Sequence, residues 1–297
     1  MAKTLKSLFK ETYQQKRGPT STSFDDYQSS LEKAYNRLLD RNPSEPEVHR
    51  FFQENPCLVP GAWTPGSTSG HYPLHCALIT QPRLPGFRSR QPDFMWISTH
   101  SGTWYPTLIE IESPRKKVFT KSGLPTSEFT EARNQLAQWR TWFNNPTNAQ
   151  QFGEIYGIPP KFKHYKTMQL HMILIYGRRE EFQLNPELSQ HRASLLPGHD
   201  EELVSFDRIF VDKDLEHAIT IRSMGSGRFR VVTVPPVFST GPVLSERFIY
   251  INGFPEVLDN AKGISKARRE FLKRRIPYWR EWASNTGAKF IGERYWE

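Results

Sequence analysis

The chain has 297 residues, enough to bury a substantial core in one large domain or two modest ones, and 40 Lys and Arg against 31 Asp and Glu leave a formal charge of +9. That surplus favours polyanionic partners, nucleic acid first among them. Two cysteines, Cys57 and Cys76, are too few for a disulfide framework or a zinc site and fit a reducing cytosol, and no apolar run approaches the ~20 residues of a membrane span.

Residues 1–40 read as a basic helical region in which Tyr27, Leu31, Tyr35, Leu38 and Leu39 recur at helical spacing after a Gly18-Pro-Thr-Ser-Thr-Ser23 linker. The opening MAKTLKSLFKETYQQKRG is basic but no apolar core follows, unlike a signal peptide. A helix should begin at Ser44-Glu-Pro-Glu47, a capping box, present Val48, Phe51 and Phe52 as its apolar face, and end at Asn55-Pro56. Residues 57–91 are rich in Pro, Gly, Ser and Thr, as short strands and loops are. Two β-type runs, 92–97 and 103–112, flank Thr99-His-Ser-Gly102 as a hairpin, and Pro106 marks a bulge or an edge. Ser127 is the expected cap of a helix running to about Phe143, with Phe129, Ala132, Leu136, Trp139 and Phe143 as its stripe. Residues 169–176 look like a strand covered on both faces, and 203–206 like a shorter strand leading into a helix. This succession implies an α/β fold with a mixed sheet flanked by helices. Beyond about residue 215 the texture changes, with a strand at 228–234 and a basic helical stretch over 264–283 interrupted at Pro277. The expected division is therefore 1–40, 41–215 and an accessory module over 216–297.

Chemistry concentrates in LIEIESPRKKVF, residues 108–119. On a strand Ile109 and Ile111 face one way and Glu110 and Glu112 the other, with Cβ atoms roughly 6–7 Å apart. If Ser101-Gly102 is a two-residue turn, Asp93 lies opposite Glu110 at about 5 Å between Cβ atoms, and three carboxylates converge. Such a cluster repels itself unless a cation neutralises it; oxygen ligands without His or Cys select Mg²⁺ or Mn²⁺, whose shell water and substrate phosphate complete. The same alternation also describes the solvated face of an antiparallel strand, and the sequence leaves both readings open.

SEPEVHRFFQENPCLV, QPDFMW, WYPTLIEIESP, ARNQLAQWRTWF, LHMILIYGRREE and ELVSFDRIF, in that order, resemble the nuclease domain of the Shedu family of bacterial anti-phage defence proteins, within the PD-(D/E)xK nuclease superfamily. The resemblance covers about residues 41–215. It implies a PD-(D/E)xK restriction-endonuclease-like domain and a Mg²⁺-dependent endodeoxyribonuclease acting on phage or plasmid DNA in the cytoplasm, as a homo-oligomer, tetramer or dimer. It further implies that Asp93 and Glu110, with the Ile111 carbonyl, bind the metal, that Glu47 binds or orients from its helix, and that Gln135 lies beside the site. Glu47 has a competing role in the capping box, and Gln135 one as a satisfied interior amide. One position departs from the pattern: the third residue of (D/E)xK, a lysine in the family, is Glu112 here. Either Glu112 is a functional variant, with Arg115, Lys116 and Lys117 supplying positive charge to the phosphate, or the chain is an inactive nucleic-acid-binding protein of the same fold. An RNase is a third reading.

In the last segment Arg268, Arg269, Lys273, Arg274 and Arg275 crowd together with Phe271, Tyr278, Trp279 and Trp282 interleaved, a composition suited to backbone phosphates and equally to a helix packed on a core. His49, His71, His75, His164 and His171 show no metal-ligand spacing and are expected to be structural or exposed.

Overall fold

A computed structural model describes residues 13–67, 71–86, 91–159, 165–183, 185–195, 198–286 and 297. Residues 1–12 of the expected basic helical region, and His164, lie outside these. Two helices open the described chain: α1 (Phe24–Asp40), capped where Ser23 Oγ accepts from the Asp26 N–H, and α2 (Glu45–Glu54), with the expected capping box between Ser44 and Glu47. Each buries the face its sequence period marks, Tyr27, Leu31, Tyr35, Leu38 and Leu39 on α1, and Val48 and Phe52 on α2.

Among the described residues, nine strands form one mixed sheet: β1 (Ala77–Thr80), β2 (Phe94–Thr99), β3 (Thr103–Ile111), β4 (Thr167–Met168), β5 (His171–Ile175), β6 (Glu201–Val204), β7 (Ile219–Gly225), β8 (Arg228–Thr233) and β9 (Ile251–Asn252). Their order is β6-β5-β3-β2-β1-β7-β8-β9, with β4 also beside β3. The β2–β3 hairpin has the expected register, Phe94 opposite Ile109 and Thr99 opposite Trp104. Pro106 does not bulge it. Ile97 pairs with Pro106 in register, and on its other edge β3 changes partner there, from β4 at Trp104 to β5 at Thr107, so the missing N–H falls at a gap in the ladder.

Helices cover both faces. On one, α1, α2 and the segment after them pack on Ile109, Ile111, Ile173 and Ile175. On the other, α3 (Ser127–Phe143) and α4 (Pro146–Ile155) pack on Leu108, Met172 and Leu174. The α3 stripe buries as expected, but Thr126 is the cap, its side chain accepting from the Phe129 N–H, and Ser127 is the first helical residue. Two short helices, α5 (Glu180–Gln183) and α6 (Pro186–Ser194), link β5 to β6, and β6 is followed by a 3-10 turn at Phe206–Arg208 where a helix was expected.

The segment from 216 onward is not set apart from the rest. β7 pairs parallel with β1, so the sheet runs unbroken through residue 215, and α7 (Arg247–Tyr250), α8 (Phe254–Asn260) and α9 (Lys266–Thr286) pack into the same core cluster as α3. Pro277 lies inside α9 without ending it. The buried face of α9 includes Arg268 and Arg275. Arg268 donates to the Pro19 and Phe238 carbonyls and pairs with Glu297, while Arg275 donates to the Gln14 carbonyl and lies 4.1 Å over the Tyr278 ring. Those two guanidiniums tie the helix to the core, and the expectation that they face a phosphate backbone is corrected. Arg269 caps its own neighbourhood through the Ile264 and Asp259 carbonyls, Lys273 pairs with Asp259 and Glu270, and Arg274 is exposed. Trp279 and Trp282 are core residues. Among the described residues no helix is long and apolar enough to cross a membrane.

Candidate functional site

The hairpin register carries Asp93, one residue ahead of β2, to the level of Glu110 near the end of β3. The Asp93 N–H donates to the Ile109 carbonyl, and Asp93 Oδ2 accepts from the Ile111 N–H at 2.8 Å, so the side chain is held at the sheet end. Glu110 points to the α3 face, where Gln135 Nε2 donates to its Oε1 at 2.7 Å. Its Oε2 is buried with no hydrogen-bond partner. Glu112 follows on the same side of the chain, its N–H bonded to the Ile175 carbonyl and its Oε2 in contact with Lys116 Nζ. Glu110 is 6% and Glu112 3% exposed, which rules out the solvated-face reading of the LIEIES alternation.

These carboxylates disturb one another. Burial is the largest cause of a rise in the Asp93 pKa to about 7, with Glu45 and Glu112 adding to it and the Ile111 N–H opposing it. Although a fifth of the Asp93 side chain still touches solvent, it lies deep in the protein mass, and burial governs. Glu110 is pushed well above the ordinary carboxylate range by burial first and then by Asp93, Glu112 and Glu45, against the single bond from Gln135.

Two participants lack any mark in the motif. Glu45, in the first turn of α2, is the helix glutamate whose charge reaches Asp93 and Glu110. Glu47 instead bonds the Ser44 N–H and hydroxyl, which hold its carboxyl below the usual range, and it is exposed. His49, one turn after Glu45, stacks on Phe94 with ring centroids 4.5 Å apart and brings Nε2 to 3.8 Å from Asp93 Oδ1. Spacing of four along a helix is the signal that places Glu45 and His49 on one face. Accordingly, Glu47→Ala should lower the melting temperature slightly through the lost cap and leave any activity within about twofold, whereas Glu45→Gln should shift the pH response of the carboxylates. Thermal melts and pH profiles of the two variants check this.

Of the three cations after β3, Arg115 is exposed and donates to the Asn42 carbonyl, Lys116 turns in to Glu112, and Lys117 is exposed. Among the described residues no three His, Cys, Asp or Glu side chains surround one point as a ready metal cage. The donors are two carboxylates, one with an orphaned buried oxygen. That set fits Mg²⁺, which commonly takes one or two protein carboxylates and fills its shell with water and substrate phosphate, and not zinc.

Residues 42–210 match the family model described as Shedu protein SduA, C-terminal, more than half of the chain. The chain belongs to the Shedu family. No curated protein matches it. The Shedu match holds β1 to β6 and the whole carboxylate cluster, while β7 to β9 and α9 extend the same sheet and core beyond it.

Proposed function

We propose that this Shedu-family chain is a metal-dependent DNA endonuclease of PD-(D/E)xK type, acting in defence against phage or plasmid DNA. The observation that carries the reading is Glu110 Oε2, a buried carboxylate oxygen without a hydrogen-bond partner beside Asp93, at a sheet end where the Lys116 ammonium is already committed to Glu112. Buried carboxylate oxygens are seldom left unpaired in native structures, and an ion is one of the groups that takes them.

Asp93 and Glu110 would hold Mg²⁺ or Mn²⁺, with the Ile111 carbonyl as a further ligand. When bound, the ion lowers the pKa of a coordinated water and stabilises charge on the phosphorane-like transition state. Gln135 fixes the Glu110 carboxyl through Oε1 and leaves Oε2 without a partner, so that it could ligate the ion. The Ile111 N–H does the same for Asp93 through Oδ2. Lys116 brings an ammonium to Glu112, the position where the motif has lysine, so the positive charge is restored from four residues along the chain. This contact favours the functional reading of Glu112 over a lost activity.

The test is nicking of supercoiled plasmid by the full chain with Mg²⁺ or Mn²⁺, single-stranded RNA being offered in parallel. Cleavage that needs the ion and falls at least about 10²-fold in Asp93→Ala and in Glu110→Ala, the scale of losing one preorganised electrostatic contact, supports the proposal. DNA binding with no ion-dependent cleavage would make the chain a non-catalytic binder, and preferential RNA cleavage an RNase.

A further inference from the structure

Among the described residues, the β7–β8 hairpin leaves one sheet face open beyond the contact of Thr220 and Thr233 with α2. Arg222 and Met224 on β7 and Arg228 and Arg230 on β8 are exposed there, while Ile221, Phe229 and Val231 on the opposite face are core. Arg222 pairs directly with Arg230 across the ladder. Like charges at directly opposed positions destabilise a sheet, and among the described residues neither arginine forms an ion pair.

The arginines stand at the sheet end that carries the carboxylates, but on the α2 face, whereas Glu110 points to the α3 face, so the two meet only around that end. β1 lies between β2 and β7. At its end the Gln81 N–H donates to the Asp93 carbonyl at 2.8 Å, and Arg222 Nη2 donates to Gln81 Oε1 at 3.2 Å. Asp93, Gln81, Arg222 and Arg230 thus form a row across four neighbouring strands. With strands roughly 5 Å apart, Arg222 lies about 10 Å and Arg230 about 14 Å across the sheet from Asp93. α2 flanks this row: its Gln53 carbonyl accepts from Thr220 and Thr233, and its His49 reaches Asp93. Arg222 also bears on His49, adding to burial, the larger cause, in holding that imidazole below its ordinary range. Gly253 lies against Arg230, where a Cβ would come within 3.1 Å of Arg230 Cγ, so the absence of a side chain leaves that arginine its place.

We propose that this face, through Arg222 and Arg230, is the track on which the phosphate backbone of a DNA strand is laid before it passes around the sheet end to the carboxylates. The occupant follows from charge: two unneutralised guanidiniums in line with a carboxylate site repel an approaching cation and suit a polyanion that continues into that site. The inference rests on the nuclease reading for its direction, though not for the binding itself.

The experiment measures binding of a fluorescent duplex and of a single strand to the full chain in EDTA, from 50 to 300 mM salt, with Arg222→Gln/Arg230→Gln beside the parent. The double variant should bind about tenfold more weakly near 100 mM salt and lose roughly 1.4 to 1.8 from the slope of log affinity against log salt, two phosphates at about 0.7 to 0.9 each. Both side chains are exposed, so its melting temperature should stay within a degree or two; if it does not, each single variant gives the same test at half the slope change. Unchanged affinity and slope, or no DNA binding by the parent, would each overturn the track. Weakened binding in the variant while the parent fails to cleave would sink the nuclease reading and keep the track.

Discussion

Asp93→Asn/Glu110→Gln should abolish cleavage and at the same time make the metal-free chain more stable at pH 8. The two effects have one cause. Both carboxyls are raised above their unfolded values, Asp93 to about 7, chiefly because burial penalises the charged form. A carboxyl raised on folding contributes stability that is fully present below its unfolded pKa, near 4, and is lost as pH rises through the folded value. The metal-free parent should therefore lose stability between pH 5 and pH 8, by about 2 kcal/mol or more, since a shift of three units in one group corresponds to roughly 4 kcal/mol at its limit. The double variant should show almost none of this slope. Thermal melts in EDTA across that range measure it.

A divalent ion reverses the sign. If the folded carboxylates hold Mg²⁺ or Mn²⁺ at pH 8 as proposed and the unfolded chain does not, the ion should raise the melting temperature of the parent in proportion to the logarithm of its concentration. It should leave the double variant where it was. A parent whose stability is flat with pH, or a variant that responds to the ion as the parent does, would show that Asp93 and Glu110 do not form one repelling pair.

How much of this was readable in advance depended on how local each constraint is. The β2–β3 register was legible because a two-residue turn and strict alternation fix every pair at once, and that alone brought Asp93 level with Glu110. The α3 stripe was legible for the same reason, and Gln135 fell on it. By contrast, the pairing of β1 with β7 joins segments some 140 residues apart, and no local pattern announces it. The split at residue 215 followed a change of texture that the sheet ignores. Glu45 and Glu47 point roughly 200° apart around α2, and only packing decides which looks inward. Arg268 and Arg275 misled through their charge. Their spacing of seven, with Leu272 and Trp279 between and beyond, is that of a buried seam, but the carbonyls that satisfy them come from Pro19, Phe238 and Gln14, far along the chain.

Lys116 is where the departure from the motif can be resolved. Glu112 is 3% exposed, and Lys116 is its charged partner at the end of a sheet already crowded with Asp93 and Glu110. Lys116→Ala strands a buried carboxylate; because the lysine side chain is itself about one-third exposed, the loss should be about 1 to 3 kcal/mol rather than the 3 to 5 of a fully buried pair. That loss alone does not distinguish a structural clasp from a catalytic ammonium. Lys116→Ala/Glu112→Gln does, since the neutral amide no longer needs the lysine and the stability should return. If Lys116 serves the phosphate, cleavage by this stable double variant stays at least about tenfold below the parent, with DNA affinity in EDTA little changed, and Lys116→Arg recovers part of it. Melts, binding isotherms and plasmid nicking on the same preparations separate the roles. Full cleavage by the double variant would leave the Lys116–Glu112 contact a clasp, and the chemistry would rest on Asp93 and Glu110 with the bound ion.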